Sequence, residues 1–200
     1  IKSPHIKVWA EMKSIKVLQP EKLDDGFAHQ LVTSNYQLFI VASYGKIIPQ
    51  NILDIPKHGT LNVHPSILPK YRGASPIEST LLDGLTETGV SIIKLDEEMD
   101  HGPILVQNAF KINDEATAGT LEITCGQLGG QLLVQVLPGY TDGVLIPKEQ
   151  NHSEATFCKK ITKEIGEIKL KDSAINIRRK YRALSPWPSL YFFHPHPSLR

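Results

Sequence analysis

The chain has 200 residues, of which 40% are hydrophobic and 22% charged, and its formal net charge is +1 at pH 7. This composition is that of a globular protein, and no apolar run approaches the ~18 residues that span a bilayer, which argues against a membrane protein. The small net charge gives no overall attraction to nucleic acid. Cys125 and Cys158 lie far apart without zinc-site spacing, so we expect a reducing, cytoplasmic compartment and neither a disulfide framework nor a metal site.

The first forty residues predict two helix and strand pairs. Residues 6–13 have the pattern of a helix end and residues 15–18 that of a short strand, and residues 23–33 then favour a second helix. Residues 37–43 form a nearly continuous apolar run, which is typical of a strand covered on both faces. Helix followed by strand, twice, indicates parallel crossovers and an α/β fold.

The middle of the chain predicts a helix, a hairpin and a long helix. Ser75, Pro76 and Glu78 have the pattern of an N-cap, a first helical position and a capping box. Residues 90–95 and 104–107 are strand candidates on either side of an acidic loop, so we expect a hairpin that projects Asp100. Residues 120–137 have helical spacing, and Pro138 followed by glycine is expected to close that helix.

The character of the sequence changes after Pro147. Between residues 158 and 182 there are nine Lys or Arg residues against three acidic ones. We expect residues 1–147 to form a catalytic domain, 148–180 a linker, and 181–200 the start of a further domain. The chain also lacks a starting Met and a signal-type segment, and we expect it to be a fragment.

A polar pair on one predicted strand carries the chemistry. Leu61 and Val63 alternate with Asn62 and His64, and Pro65 then ends the strand, so the polar pair shares one face. An amide such as Asn62 can stabilise the oxyanion that develops when an acyl group moves to an amine. His64 can donate to the same oxygen or carry a proton, and Asp100, if close, would favour the imidazolium and accept the amine proton. No obvious nucleophile accompanies them, which favours direct transfer.

Each of these signals also has a simpler interpretation. An Asn-x-His strand is often only a structural polar pair, an acidic loop is often only solvated, and the turn at residues 71–73 can be a turn with a cation on its rim. Asp96 and Asp100 could also be read as a glycosidase pair or a calcium loop, but the required ligand alternation is absent. His101 is expected to shape its loop.

Longer motifs resemble a known family. The segments SYGKIIP at 43–49, LNVHPSILPKYRGASPI at 61–77, ETGVS at 87–91 and MDHG at 99–102 are similar to the folate-dependent formyltransferases. The segments ATF at 155–157, KITKE at 160–164 and YRALSPWP at 181–188 resemble the branch that acts on methionyl-tRNA, although members commonly have Phe-Asn before the first of these prolines. The resemblance covers nearly the whole chain.

The resemblance implies a Rossmann-like domain with a mostly parallel sheet, then a linker and the start of a truncated β-barrel similar to an OB-fold. It also implies that the first strand and helix precede Ile1 and that most of the barrel follows Arg200. The implied activity is transfer of a formyl group from 10-formyltetrahydrofolate to the amino group of methionyl-initiator-tRNA, in the cytoplasm, by a monomer without a metal.

The resemblance places Asn62, His64 and Asp100 at the catalytic positions. The folate pocket would be lined by two loops, with Tyr44, Gly45, Lys46, Ile47 and Ile48 in one and Asp96, Glu97, Glu98 and Met99 in the other. Contacts to tRNA would come from the cations Arg72, Lys159, Lys160, Arg178, Arg179 and Arg182.

Two rival functions stay open at this point. An amino-sugar nucleotide formyltransferase would share the same three catalytic residues and the folate pocket. A non-catalytic RNA-binding relative would not need that constellation, which argues against it. The basic stretch from 158 to 182 favours an RNA acceptor because cations neutralise phosphates, but a solvated helix would also explain these charges.

Overall fold

The computed structural model describes residues 3–193. The helices of this part are α1 (His5–Met12), α2 (Asp25–Thr33), α3 (Gln50–Leu53), α4 (Pro76–Leu82), α5 (Ala118–Thr141) and α6 (Ala174–Ala183). The strands are β1 (Phe39–Ala42), β2 (Thr60–His64), β3 (Arg72–Gly73), β4 (Glu87–Lys94), β5 (Ile104–Lys111) and β6 (Phe157–Cys158). Short 3-10 turns cover His152–Glu154 and Lys163–Gly166.

Four strands form the main sheet in the order β1-β2-β4-β5. The β1/β2 pair is parallel, whereas β2/β4 and β4/β5 are antiparallel. The α/β class is thus confirmed, but the sheet is mixed rather than mostly parallel. The reason is that the chain after α4 enters the sheet in the opposite direction to β2, and β5 then returns beside β4 as a hairpin.

The predicted strand at residues 15–18 is wrong. This segment has no strand assignment, and the Ile15 N–H bonds back to the Ala10 carbonyl at the end of α1. A strand needs a neighbouring strand for its backbone groups, and within residues 3–193 the ladder partner of β1 is β2. The expectation that the next strand is covered on both faces is also wrong, because Ile40 of β1 is 43% exposed.

Helix α5 covers one face of the sheet. Its residues Leu121, Cys125 and Leu132 are buried, and they pack with Leu61 and Ile92 of the sheet in the main core. Each fully buried aliphatic side chain of this kind contributes about 1.5–3 kcal/mol. The predicted helical spacing is confirmed, and Thr117 and Thr120 form a reciprocal capping box at its start.

Two predicted local signals do not act as expected. Pro138 lies inside α5, which continues to Thr141 instead of ending at residue 137. The α4 helix does start at Pro76, but the Ser75 hydroxyl accepts no bond from α4; it accepts one from the Ile161 N–H at 3.2 Å. A tertiary contact has replaced the predicted capping box, and it joins the segment that contains Ile161 to the start of α4.

The remaining elements belong to this later segment. Strand β6 pairs in parallel with β3, with Arg72 opposite Phe157 and Gly73 opposite Cys158. Helix α6 packs against α4. No barrel is described within residues 3–193, so the OB-like domain stays a prediction, and residues 194–200 of its predicted range lie outside the described part. The helices of the described residues are all too short or too polar to cross a bilayer.

Candidate active site

Strand β2 supplies two of the three predicted catalytic residues. Leu61 is fully buried and Val63 packs in the α5 core, so Asn62 and His64 share the opposite face of the strand. The strand ends at His64, directly before Pro65, as predicted. His64 is 3% exposed, whereas Asn62 is half-buried.

The β4–β5 hairpin brings Asp100 to the same point. Asp100 Oδ1 lies 3.3 Å from Asn62 Nδ2, which donates to it, and 3.5 Å from His64 Nδ1. Its other oxygen, Oδ2, accepts a hydrogen bond of 2.8 Å from the Gly73 N–H. An amide, an imidazole and a carboxylate that are up to 38 residues apart in sequence therefore converge on one cluster.

The hydrogen bonds of His64 fix where its proton sits. Its Nε2 lies 2.9 Å from the Tyr71 carbonyl oxygen, which can only accept, so Nε2 carries a proton. Nδ1 faces the Asp100 carboxylate at 3.5 Å. Because Nε2 keeps its proton on the Tyr71 carbonyl, Nδ1 is the nitrogen at which a proton can be taken up or released.

The environment of Asp100 favours its ionised form. Burial alone would raise the pKa of this carboxyl because the charged form loses hydration. The hydrogen bond and positive charge of His64, the Gly73 N–H and the charge of Arg72 outweigh this effect and lower the pKa below its ordinary value. The cluster therefore holds a carboxylate beside the imidazole at neutral pH.

Gly73 is needed at its position for two reasons. Its φ of 112° lies in a region that favours glycine, and a Cβ there would overlap the Cys158 carbonyl of β6. The Cys158 thiol donates to the Arg72 carbonyl at 3.2 Å, and burial raises its pKa. Cys158 is thus a packing residue of the β3–β6 pair, and the pairing keeps the Gly73 N–H aimed at Asp100.

The two predicted folate loops flank β2 differently. Residues 44–48 follow β1 next to the His64 end of β2, and Tyr44 and Ile47 are 42% and 84% exposed. Ile48 instead packs in a small cluster with Ala28 and Ile52, and the Lys46 amine donates to the Glu21 carbonyl at 3.0 Å. Gly45 has a φ of 69°.

The second predicted loop connects β4 to β5 and brings Asp100 into contact with β2. Asp96 accepts from the Glu98 N–H at 3.0 Å and from His101 Nδ1 at 2.7 Å, so His101 shapes the loop as expected. Glu97 and Glu98 are exposed, and Met99 is 58% exposed. The loop thus offers apolar and acidic surface directly before Asp100.

The interpretation of Arg72 as a tRNA contact does not agree with its position. Arg72 is 3% exposed, and its guanidinium donates to Gln150 Oε1 at 2.7 Å and to His152 Nδ1 at 2.9 Å. A guanidinium enclosed in this way cannot reach a phosphate on a docked RNA. The structure places Arg72 in the interior, against Gln150 and His152, instead of on the surface.

The other predicted tRNA cations divide into two groups. Arg178 donates to the Asp114 carbonyl and the Glu115 carboxylate, and Arg182 donates to the Asn113 and Ala116 carbonyls, so both attach α6 to the loop before α5. The guanidinium of Arg179 lies against Gly84 at the end of α4. Lys159 and Lys160 are exposed and directly follow β6.

Two residues of this neighbourhood were not predicted from sequence. Gln150 and His152 both contact Arg72, although 78 and 80 residues separate them from it. No local motif marks them, because their partners lie on distant segments. Among residues 3–193 no group of three or more His, Cys, Asp or Glu side chains is placed to hold a metal ion.

Comparisons with known proteins find matches over most of the chain. The family model described as Formyl transferase matches residues 2–137, and the one described as Formyl transferase, C-terminal domain matches residues 160–200. A methionyl-tRNA formyltransferase of Caldanaerobacter subterraneus is 40% identical over 94% of this chain and 62% of its own length. One from Chloroflexus aurantiacus is 43% identical over 95% of this chain and 62% of its own length. The chain thus spans about three fifths of the curated relatives it matches.

Solved structures share the fold at low sequence identity. A 4-N formyltransferase from Francisella tularensis has a TM-score of 0.78 at 21% identity, over 96% of this chain and 77% of that one. An N-formyltransferase from Helicobacter canadensis, solved with folinic acid and dTDP-3-aminofucose, has a TM-score of 0.68 at 23% identity, over 88% of this chain and 62% of that one. Because the family model covers most of its length, this chain belongs to the formyl transferase family.

Proposed function

We propose that the full protein transfers a formyl group from 10-formyltetrahydrofolate to the α-amino group of methionyl-initiator-tRNA, and that this chain carries the catalytic part. The observation that carries the proposal is the convergence of Asn62, His64 and Asp100 within 3.3–3.5 Å. The acceptor is proposed from the named relatives at about 40% identity.

The formyl donor supplies an activated one-carbon acyl group, and the cluster supplies the charge and proton handling. Asn62 uses one amide N–H on Asp100, which orients the amide and leaves its second N–H for the oxygen on which negative charge develops. The acceptor nitrogen bonds to the formyl carbon and loses a proton, while the bond from that carbon to N10 of the donor breaks. Tetrahydrofolate leaves with a proton on N10, which balances the one lost by the amine. His64 Nδ1, beside the Asp100 carboxylate, is placed to take the proton of the amine directly or through water.

We propose that the loops at residues 44–48 and 96–99 hold the folate. Support comes from Tyr44, Ile47 and Met99, which leave exposed apolar side chains of the kind that cover a planar ring. The acidic side chains of the second loop add hydrogen-bond acceptors. Ile48 and Lys46 are engaged with α3 and Glu21, so we assign them the shaping of the first loop.

We propose that tRNA approaches along β6. Lys159 and Lys160 follow Cys158, which pairs with Gly73, and Gly73 contacts Asp100. Two exposed cations therefore directly follow the strand that pairs with Gly73, whose N–H contacts the catalytic carboxylate. There they can neutralise phosphates next to the acceptor end of the tRNA. We further propose that residues 181–200 begin the tRNA-binding domain and that residues 148–180 link it to the catalytic domain. We also propose that the protein acts in the cytoplasm, and that it acts as a monomer because all three residues of the cluster come from one chain.

The test is a choice of acceptors. The full-length protein is incubated with 10-formyltetrahydrofolate carrying a labelled formyl group, and with either methionyl-initiator-tRNA or amino-sugar nucleotides. We expect label on the methionine amino group, and we expect its loss in His64→Ala but not in His29→Ala, an exposed histidine of α2. Label on the sugar amine alone, or on neither acceptor, would overturn the proposal.

A further inference from the structure

Gln150 is buried and uses every hydrogen-bonding position of its amide. It is 5% exposed, and its Nε2 donates to the Asp100 carbonyl at 2.9 Å and to the Gly102 carbonyl at 2.7 Å. Its Oε1 accepts from Arg72 Nε at 3.2 Å and from Arg72 Nη2 at 2.7 Å. Because a guanidinium only donates, Oε1 must face Arg72 and Nε2 must face the two carbonyls, so the amide has one possible orientation.

The turn that Gln150 contacts has two conformationally constrained residues. Asp100 has a φ of 50°, which is a left-handed conformation that residues with a side chain rarely adopt. Two residues later, the Cα of Gly102 lies against the Lys94 carbonyl so closely that a Cβ would overlap it. Gln150 bonds the carbonyls at both ends of this turn and thereby sets the direction in which the Asp100 side chain leaves the backbone.

Arg72 fixes Gln150 from the other side. Its Nη2 also donates to His152 Nδ1 at 2.9 Å, so this ring nitrogen is the acceptor. The His152 ring stacks on the His101 ring at 4.0 Å between centroids and 5° between planes. The segment at residues 150–152 is therefore fastened to both sides of Asp100, through the amide and through the stacked rings.

We infer that Gln150 is a positioning residue for the reaction, which holds the Asp100 turn so that the carboxylate reaches Asn62, His64 and the Gly73 N–H together, and that Arg72 orients Gln150. The role rests on the proposed function in one respect, that Asp100 is the catalytic carboxylate. Neither Gln150 nor Arg72 touches the reacting atoms. Both act through Asp100.

Two substitutions separate positioning from mere stability. Gln150→Glu keeps the shape and the acceptor for Arg72 but removes both donated bonds, and Gln150→Met removes all of them without adding charge. The matched control is Tyr140→Phe, which removes one donated bond of 2.7 Å to the His58 carbonyl, beyond the other end of β2. All variants are made in the full-length protein.

The first readout is kinetic. We expect kcat for formyl transfer to fall by about 100-fold in both Gln150 variants, because a misplacement near 1 Å has that effect, with KM for the folate within about twofold. Tyr140→Phe should keep kcat. The second readout uses the unliganded protein: hydrogen exchange at the Gly73 N–H, which donates to Asp100 Oδ2. We expect the protection factor of the Gly73 amide against exchange to fall about ten times more than the protection factors of the β4 amides.

The outcomes distinguish the two proposals. Unchanged kcat together with unchanged Gly73 protection in Gln150→Glu would overturn the positioning role, as would a uniform loss of protection across Gly73 and β4 with kcat retained. If Gln150→Met does not fold, the result for Gln150→Glu alone decides whether Gln150 has a positioning role, since this variant keeps a hydrogen-bond acceptor for Arg72. If the wild-type protein transfers formyl to no acceptor, the proposed function fails, whereas the exchange at Gly73 still tests the positioning.

Discussion

Asn62 and Asp100 orient each other through one hydrogen bond of 3.3 Å, from Nδ2 of the amide to Oδ1 of the carboxylate. The same carboxylate oxygen lies 3.5 Å from His64 Nδ1. Asp100 thus contacts two partners at once: its Oδ1 holds the Asn62 amide in one rotamer and faces Nδ1 of the His64 imidazole. The consequences of removing each partner differ, and they can be measured separately.

Replacing Asn62 should slow the chemical step more than it weakens binding. We expect Asn62→Ala to lower kcat by about 10²–10³, the size of losing one donor to a developing oxyanion, with a small effect on KM. Steady-state kinetics of formyl transfer provide the measurement. Asn108→Ala, at an exposed position of β5, is the matched control. A change confined to KM would make Asn62 a ground-state binding residue.

Replacing His64 should remove the proton acceptor. We expect His64→Ala to lower kcat/KM by about 10²–10⁴, the usual range for general acid–base catalysis. Because His64 is buried and bonds to the Tyr71 carbonyl, the thermal unfolding of the variant is measured alongside. Rates close to those of the wild type in a folded His64→Ala protein would exclude His64 from the mechanism.

The stability of the protein should depend on Asp100 at acid pH. Its pKa is lower in the folded state than the ordinary value of about 3.9, so the folded state binds fewer protons and this carboxylate stabilises it at neutral pH. The contribution is complete above the ordinary value and is lost as the pH falls through the lowered one. We expect the difference in unfolding free energy between wild type and Asp100→Asn to shrink below about pH 5. Urea unfolding across a pH series measures it, and a constant difference would contradict the lowered pKa.

Two glycines should respond to alanine in opposite directions. At Gly102 a methyl group would overlap the Lys94 carbonyl, and such overpacking costs about 1–3 kcal/mol. At Gly130, inside α5, nothing lies within 4 Å of the added methyl group, and alanine should stabilise the helix by roughly 0.5–1 kcal/mol. Denaturant midpoints of the two variants give the comparison. Equal effects would mean that the close approach at Gly102 is not present in solution.

The lysines after β6 should carry salt-dependent tRNA affinity. We expect Lys159→Ala/Lys160→Ala in the full-length protein to reduce the slope of log affinity against log salt by up to about one for each phosphate that the lysines neutralise in the wild type. Lys13→Ala/Lys16→Ala, at exposed positions near α1, is the control. Folate affinity should not change in either variant. An unchanged slope would assign these lysines to solvated surface and not to RNA.

The features that the sequence predicted correctly are those that interactions between nearby residues determine. Four features predicted from periodicity and proline chemistry appear in the structure. They are the polar pair on β2, the start of α4 at Pro76, the helical spacing of α5 and the hairpin that projects Asp100. The predictions were wrong where contacts with distant segments determine the local structure. Ser75 bonds to Ile161, Arg72 turns inward to Gln150, and residues 15–18 have no neighbouring strand within residues 3–193. Interactions across such separations leave no periodic signal in either segment.

The pairing of Arg72 with Gln150 also sets an order of events in synthesis. Strand β2 and the hairpin with Asp100 leave the ribosome before Gln150 and Cys158, since Gln150 follows Asp100 by 50 residues and Arg72 by 78. A nascent chain that stops short of residue 150 has the sheet strands but lacks both the donor that holds the Asp100 turn and the β6 strand beside Gly73. The contacts that hold the Asp100 turn are therefore completed late, when most of the described chain has already been made.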